Sequence, residues 1–515
     1  MYGQKSIFDV VFIGGGISSA ATLFEMISQL SESEVSGPIR CAVVEPQGIL
    51  GGGVAYGGLC GVDALLISSV DEFLPESWRV RFVAWLQQNY EDVVGYVTEN
   101  SRVFTSPWID ALSSKIKSGD VGDCYLPRVL FGLFFDHILR KSIAGNPQCV
   151  AVTHVHSRVE GVSKLNNFDE CLYNVVCANG VSLKTKKLVL GLGSLPTKKI
   201  PFVRGVNQSK AILINDPYSP SLEKNIDKIN SSFRHKRNLN VAIAGGNASA
   251  LESNFQIQHI CGAFFDNVNI SVINSKGKLP NSVVRGFSGF EAKHLDTLLE
   301  MDGQLSADLI LECFLSDLSD ANKNQYSISD TLPVFTGKIG FLVSKLDRYE
   351  KLKFANYHGH QIGRRQRRCG PMYEDAWNSP NKNCNLSFVQ GNVVHCYAQP
   401  DGALGVAVET VSNGTQSVSD VDVFINCTGS SQIDDLEDNH FISRLVSSLD
   451  LSVTQSGLGL IVDGNFRACE NVWVNGPLLS GNVIEDKCIW HVEHCGRILN
   501  FASEIAPLLV DRQYH

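Results

Sequence analysis

Two glycine turns carry the residues whose types and spacing could do chemistry. In the first, the apolar residues 10–13 end at Gly14-Gly15-Gly16, and a helical pattern runs on over residues 20–30. Such a turn aims backbone N–H groups and the positive end of a helix dipole at one point, which suits a pyrophosphate. Gly14 lets the chain turn and Gly16 lets the backbone approach a phosphate. Ser18 and Ser19 carry the turn into the helix, and Ser19, small enough for close packing, stands where a third glycine would be expected. A second apolar run, residues 39–44, ends at Glu45. An acidic residue at that strand end accepts the ribose hydroxyls of an adenosine.

The second turn follows residues 240–244 and reads Gly245-Gly246-Asn247-Ala248-Ser249. Asn247 replaces the middle glycine; asparagine tolerates a positive φ, so the turn is expected to survive, with its side chain where a pyrophosphate would approach. The strand over 268–273 ends in Asn274-Ser275-Lys276-Gly277-Lys278, without an acid. Hydroxyl and cationic groups there suit a 2′-phosphate, hence NADP rather than NAD. The densest basic cluster is Arg364-Arg365-Gln366-Arg367-Arg368. It reads either as a solvated helix face or as an anion site for NADPH phosphates or a carboxylate substrate.

Both turns need strand–turn–helix units to position them. The spacing predicts helices over 75–145, including Phe82, Trp85 and Leu86 at core spacing, and antiparallel strands over 150–190 that end at the turn containing Gly193. A polar stretch over 225–238 separates the two units, residues 281–385 read as a helix-rich insertion, and strands resume at 386. The last helix is expected from about 492 to 506. The fold class is therefore α/β: two Rossmann-like dinucleotide-binding domains, the second inserted in the first, with helical and antiparallel β additions. The first domain takes residues 1–204 and 386–515, the second 205–385.

Composition narrows the function classes. With 515 residues, 44% hydrophobic and 19% charged, the chain can bury large cores. A net charge of −9 argues against a nucleic-acid or membrane-surface role. No apolar run is long enough to span a bilayer and no signal peptide precedes the first strand, so a cytoplasmic location is expected. The fifteen cysteines include no CxxC pair, so neither a zinc site nor the dithiol relay of a flavin disulfide reductase is expected.

With these elements placed, the chain resembles the two-dinucleotide-domain flavoproteins, most of all the branch of YdhS-like FAD/NAD(P)-binding proteins and of flavin-dependent N-monooxygenases that oxidise aspartate to nitrosuccinate. The shared landmarks are Gly14, Gly16, Ser19 and Glu45; the glycine-Ala-Tyr loop of residues 51–56, with Gly53 and Tyr56; Phe82, Trp85 and Leu86; Pro127-Arg128; the turns at Gly193 and Gly429; and Ser275-Lys276. Gly476, Pro477 and Gly481 resemble the closing FAD segment of this superfamily. Ser19, Asn247 and Ile67 depart from its pattern.

The resemblance implies FAD and NADPH as cofactors. It implies a monooxygenase in specialised metabolism that attacks the nitrogen of a small amine or amino acid through a flavin hydroperoxide, with molecular oxygen as co-substrate. His491, His494 and Arg128 are the candidate catalytic residues: a histidine near the flavin could take an amine proton, and Arg128 could meet a phosphate or a substrate carboxylate. Gly245, Asn247, Ser249, Ser275 and Lys276 are the candidate NADP contacts; Gly14, Gly16, Ser18, Ser19, Glu45, Gly53, Tyr56 and Gly193 lie on the FAD side. A capping or core role for the histidines and a structural ion pair for Arg128 are the alternatives. At the level of function, the alternatives are an FAD/NAD(P)H oxidoreductase without oxygen insertion and a flavin-binding protein with impaired NADPH use. The sequence does not fix the oligomeric state or the substrate.

Overall fold

The computed structural model describes residues 7–32, 37–166, 171–203, 209–283, 289–301, 303–410 and 414–510. Its strands in chain order are β1 (Ile7–Ile13), β2 (Ile39–Val44), β3 (Val150–Val155), β4 (Val159–Asn166), β5 (Cys171–Cys177), β6 (Ser182–Leu190), β7 (Ile212–Ile214) and β8 (Asn238–Ala244). They continue with β9 (Asn267–Asn274), β10 (Cys384–Ala398), β11 (Leu404–Thr410), β12 (Thr415–Val421), β13 (Val423–Asn426), β14 (Arg467–Cys469) and β15 (Val472–Val474), and a separate antiparallel pair, β16 (Asn482–Ile484) and β17 (Lys487–Ile489), follows.

Among the described residues β1 to β15 form two large sheets. The first runs β14–β15–β6–β1–β2–β3, parallel from β15 to β3, with β5 and β4 extending antiparallel from β6. The second runs β12–β11–β10–β9–β8–β13–β7, parallel from β10 to β7. Each is a parallel core with a strand–helix–strand unit at its centre and an antiparallel flap. Helices cover the parallel strands, which is why these read as continuous apolar runs: Val10, Val11 and Phe12 are fully buried, as are Ala242, Ile243 and Ala244.

The helix Ile17–Ser31 follows the first turn and packs against the closing helix Cys495–Val510. Asn475, just past β15, holds this joint. Its buried amide donates to the Ser18 carbonyl at 3.1 Å and to Thr22 Oγ1 at 3.0 Å. The closing helix starts at Cys495, three residues later than its spacing suggested. The polar stretch at 225–238 is largely helical too: Leu222–Phe233 is capped by Ser221 and buries Ile226, Ile229 and Phe233. Phe82, Trp85 and Leu86 take up core positions in the helix Glu76–Gln88, as their spacing indicates.

The two-domain reading needs one correction. The boundary expected at 204/205 lies outside the described residues, but that at 385/386 falls inside a strand. The sequence assigns residues from 386 on to the first domain, yet β10, β11, β12 and β13 run in the second sheet. Leu386 pairs with Ile270 of β9, and β13 sits between β8 and β7. The chain rejoins the first sheet only at β14 and β15. Alternation identified these residues as strands, but strand partners are long-range and alternation does not specify them.

The helix-rich insertion builds its own core from Leu295, Ile310, Phe314, Phe335, Ile339 and Leu342. It touches the closing segment through Phe354, whose ring meets Trp490 edge-on at 5.4 Å.

One close approach fixes the loop beside the first turn. A Cβ on Gly132, in the helix Val129–Gly145, would overlap the Tyr56 carbonyl oxygen. Gly132→Ala is expected to destabilise the protein by about 1–3 kcal/mol through this overpacking. Chemical denaturation measures it, and an unchanged midpoint contradicts the packing described.

Candidate functional site

The first turn is a cradle made from two glycine loops. The Gly14 amide donates to the Val44 carbonyl at 3.0 Å, and the Gly51 amide to the Gly15 carbonyl at 2.7 Å. Gly14 has φ +89°, and a Cβ there would lie 2.6 Å from the Gly191 carbonyl oxygen. A Cβ on Gly15 would lie 2.6 Å from Glu45 Cβ. Gly16 differs from both. Its φ is −68°, and a Cβ would meet only Gly53 Cα, at 3.6 Å. The protein's own packing therefore does not demand glycine at 16, and the missing side chain leaves room for the close approach of an external group. The residues thus fit a dinucleotide whose pyrophosphate lies on the N-terminus of helix Ile17–Ser31.

Glu45 ends β2 at the cradle's edge. Its carboxylate accepts from the Gly15 amide at 2.8 Å and the Gln47 amide at 2.9 Å. Each oxygen keeps a second lone pair for a ribose hydroxyl. Ser19 is buried against Gly191, where its small side chain gives the expected close strand–helix packing, and Ser18 lies under Gly476. Gly193 stands at the open end of β6, with nothing within 4 Å of a Cβ. Tyr56 requires a correction. Its ring is buried edge-on to Phe131 at 5.2 Å and packs on Phe73, so it serves the core rather than the cradle.

The closing segment and the helical insertion meet beside this cradle. Gly476 and Pro477 lead into a single 3₁₀ turn, Pro477–Leu479, and a Cβ on Gly481 would press on Asn356 Oδ1 at 2.6 Å. Asn356 lies in a π-turn, Phe354–His358, and staples the insertion to this segment. Its amide donates to the Gly481 carbonyl at 2.9 Å, and its oxygen accepts from the Ser456 amide at 2.9 Å. Such turns often mark functional sites. The π-turn runs into the helix Gly359–Arg365 and presents His360 to Ser480, Oγ to Nε2 3.3 Å. Ser480 Oγ donates its proton to the Trp490 carbonyl at 2.7 Å and so accepts from His360 Nε2. His491 stacks beside Trp490, and Arg497 approaches its Nδ1 at 3.3 Å. Burial, His491 and Arg364 hold His360 down at about 4; burial and Arg497 hold His491 down at about 4. Both imidazoles are neutral at neutral pH.

At the second turn Gly245 has φ +126°, and a Cβ would overlap the Cys427 carbonyl oxygen. Asn247 is a correction to expectation: its φ is −107°, an ordinary extended value. Asparagine is there as a helix cap, not for a positive φ. Its Oδ1 accepts from the Ala250 amide at 3.3 Å and from Ser249 Oγ at 2.7 Å. The side chain thus occupies the helix N-terminus where a pyrophosphate would sit. Gly429, following β13, lies close by, a Cβ there being 4.0 Å from Asn247 Nδ2.

Ser275 and Lys276 follow β9, where the sequence placed them. The basic cluster joins them there. Lys276 Nζ donates to the Arg364 carbonyl at 2.8 Å. Desolvation, then the charges of Arg367, Lys278 and Arg365, hold its ammonium down at about 8. Arg364 and Arg367 are exposed, and among the described residues no acid forms an ion pair with either. Arg368 is different: it pairs with Glu72 at 3.3 Å.

Two candidate catalytic residues are committed elsewhere. The buried Arg128 pairs with the fully buried Glu252 at 3.0 Å, across the two nucleotide folds. Tyr218 donates to the same carboxylate at 2.7 Å. Arg128 thus ties the two folds through Glu252, while its Nε has no partner among the described residues. His494 uses both ring nitrogens: Nε2 donates to the Glu72 carbonyl at 3.1 Å, and Nδ1 accepts from the Gly496 amide at 3.2 Å. It is a capping histidine, whereas His491 remains at the site. His360, Ser480 and Asn356 were not singled out by sequence. The one signal was Gly359 inside a helical pattern, required because a Cβ would overlap the Trp490 ring.

Among the described residues no helix is long and apolar enough to cross a membrane, and no three His, Cys, Asp or Glu side chains converge as metal ligands. Residues 11–195 match the model of an FAD-NAD(P)-binding family. An uncharacterized protein of Mycobacterium tuberculosis is 27% identical over 511 residues, spanning 98% of this chain and 95% of the relative. Ornithine hydroxylase from Pseudomonas aeruginosa superposes with TM-score 0.52 at 13% identity, over 98% of this chain and 99% of its own. The FAD-bound cadaverine monooxygenase from Erwinia amylovora gives TM-score 0.51 at 13% identity, over 98% and 95%. The chain therefore has the FAD/NAD(P)-binding fold of two joined Rossmann-like units.

Glu252→Gln would leave Arg128 buried without its counter-charge. The expected loss is about 3–5 kcal/mol of stability by denaturant unfolding, and an unchanged midpoint contradicts the inter-fold tie.

Proposed function

We propose that this chain is an FAD-dependent, NADPH-using monooxygenase that oxidises the nitrogen of a small amino acid. The observation that carries this reading is the meeting of a cationic wall with two neutral histidines between the nucleotide folds. Arg364 and Arg367 form no ion pair among the described residues, the Glu493 carboxylate acts on both Arg367 and His360, and His360 and His491 stand beside the closing segment. FAD fits the first cradle for the reasons given at Gly16 and Glu45. NADPH fits the strand end at Lys276, which can meet a 2′-phosphate as a point charge. The fifteen cysteines include no CxxC pair, the dithiol of a flavin disulfide reductase. Reduced FAD, when bound, would supply two electrons for the activation of oxygen.

The chain's own groups then have distinct tasks. Arg364 and Arg367 attract and orient a carboxylate. His360, whose Nε2 donates to Ser480, keeps its Nδ1 lone pair for a proton of the substrate ammonium, and His491, whose Nδ1 accepts from Arg497, offers an Nε2–H donor beside it. Trp490 and Phe354 exclude water from that side. The proteins of like fold named above are a hydroxylase of ornithine and a monooxygenase of cadaverine, which supports nitrogen as the atom oxidised. The excess of arginines over carboxylates on this wall, with Glu493 the acid that acts on it, disfavours a dication such as a diamine and favours an amine that carries a carboxylate.

Asn247 supports a second reading, a flavin-binding protein in which NADPH use is impaired, because its side chain caps the helix that would receive the pyrophosphate. Mass spectrometry of products from a panel of amino acids and diamines, with FAD, NADPH and oxygen, tests the first reading. It predicts one added oxygen on the nitrogen of an amino acid. Oxygenated diamines alone, or NADPH oxidation with no oxygenated product, contradict it.

The Lys276 ammonium gives a pH signature. It is charged below about 8 and loses its proton as pH rises through that value. The expected kcat/KM for NADPH therefore falls above pH of about 8, whereas that for NADH does not. Lys276→Arg keeps the charge and removes the fall; Lys276→Ala weakens NADPH use about tenfold or more and spares NADH. Equal effects on both nucleotides overturn the assignment of Lys276.

A further inference from the structure

Two histidines at the end of β3 have no part in the chemistry described. β3 lies beside β2, and the Glu45 amide donates to the Val155 carbonyl at 3.1 Å, so Glu45 and the end of β3 are direct neighbours. His154 Nε2 donates to the Glu45 main-chain carbonyl at 3.0 Å, which fixes its half-buried ring. Residues 154 and 156 share a face of the strand. The exposed ring of His156 lies over that of His154, with centroids 3.8 Å apart and planes 35° from parallel. Burial, with a smaller contribution from His156, holds His154 below the usual imidazole range, so the supporting ring is neutral at neutral pH. The opposite side of the strand ends stays open: nothing lies within 4 Å of a Cβ on Gly48, whose carbonyl is held by Arg140 at 2.8 Å.

The sheet order gives this pair a direction relative to the cradle. The pyrophosphate belongs at the end of β1, against the helix Ile17–Ser31, and the ribose at Glu45, the end of β2. A base attached to that ribose continues away from β1, toward the end of β3. His156 is exposed there. We propose that His156, backed by His154, is the stacking platform for the adenine of FAD. The inference rests on the FAD reading of the first cradle. A planar, exposed imidazole with a second ring beneath it offers an adenine a flat surface whose position is set by the Glu45 carbonyl, the main chain of the ribose acceptor. Base–aromatic stacking of this kind is sequence-tolerant and strong enough to change retention of a nucleotide measurably.

The test uses the FAD-loaded protein, diluted so that released flavin is read by its fluorescence. His156→Ala is expected to raise the dissociation constant for FAD about tenfold, and His156→Phe to keep it near the wild-type value. His154→Ala is expected to weaken retention by a smaller factor, through loss of the supporting ring. The visible spectrum of the flavin that stays bound is expected to be unchanged, because the isoalloxazine ring lies at the other end of the cofactor. Equal retention by wild type and His156→Ala overturns the inference, as does equal weakening by His156→Phe and His156→Ala. A shifted flavin spectrum in His156→Ala also overturns it, since the substitution would then act beyond the adenine. A wild-type protein that takes up no FAD overturns the flavoprotein reading itself, a result distinct from these.

Discussion

Two strand-end carbonyls set the terms for the rest of the molecule. At the first turn the chain leaves β1 against the Gly191 carbonyl, which follows β6; at the second it leaves β8 against the Cys427 carbonyl, which follows β13. In both places a parallel strand returns directly beside the nucleotide-binding strand, and its last carbonyl occupies the space of a side chain. Only glycine in a positive-φ turn passes there, which accounts for Gly14 and Gly245. The constraint ties the glycine turns to a return strand far along the chain and makes the two sheets structural repeats. It also orients each following helix with its N-terminus over the cradle.

Given two such units, the site between them depends on how they are joined. The Arg128–Glu252 pair crosses from the loop-bearing half to the helix after the second turn, with Tyr218 completing the carboxylate's partners. A pair this buried resists separation more than it adds net stability, since removing either partner strands a charge. Asn356 performs the polar equivalent at the other side, stapling the helical insertion to Gly481. Between these ties, Lys276 reaches from the second fold to the carbonyl end of the helix Gly359–Arg365. Cofactor strand end, basic helix and closing segment therefore share one wall, and its excess of positive charge is local to a chain of net charge −9.

What was legible in the sequence was what is local. The run from Gly14 to Glu45 carries a strand, a turn, a helix and the ribose acceptor within one unit, and each works through its neighbours in sequence. Lys276 and the Arg364 cluster were legible as two cationic groups, and the fold brings them together. What failed depended on distant partners. Arg128 finds Glu252 124 residues away, and His494 finds the Glu72 carbonyl 422 residues away, so no local pattern revealed either partner. Asn247 was read for its backbone tolerance when its side-chain capping decides its role. Strands β10 to β13 were recognised as strands yet assigned to the wrong sheet, because register and partner are set by packing rather than by alternation. His360 carried no motif at all; it reaches the site through a π-turn and a glycine pressed on Trp490.

The central claim is that one chain binds FAD in the first cradle and receives electrons from NADPH at the second. Anaerobic titration of the purified protein, reconstituted with FAD, tests it directly. The account predicts a yellow protein with one bound FAD per chain, whose flavin absorbance is bleached by NADPH and far more slowly by NADH. A protein that acquires no flavin absorbance, or whose bound flavin is indifferent to NADPH, contradicts it.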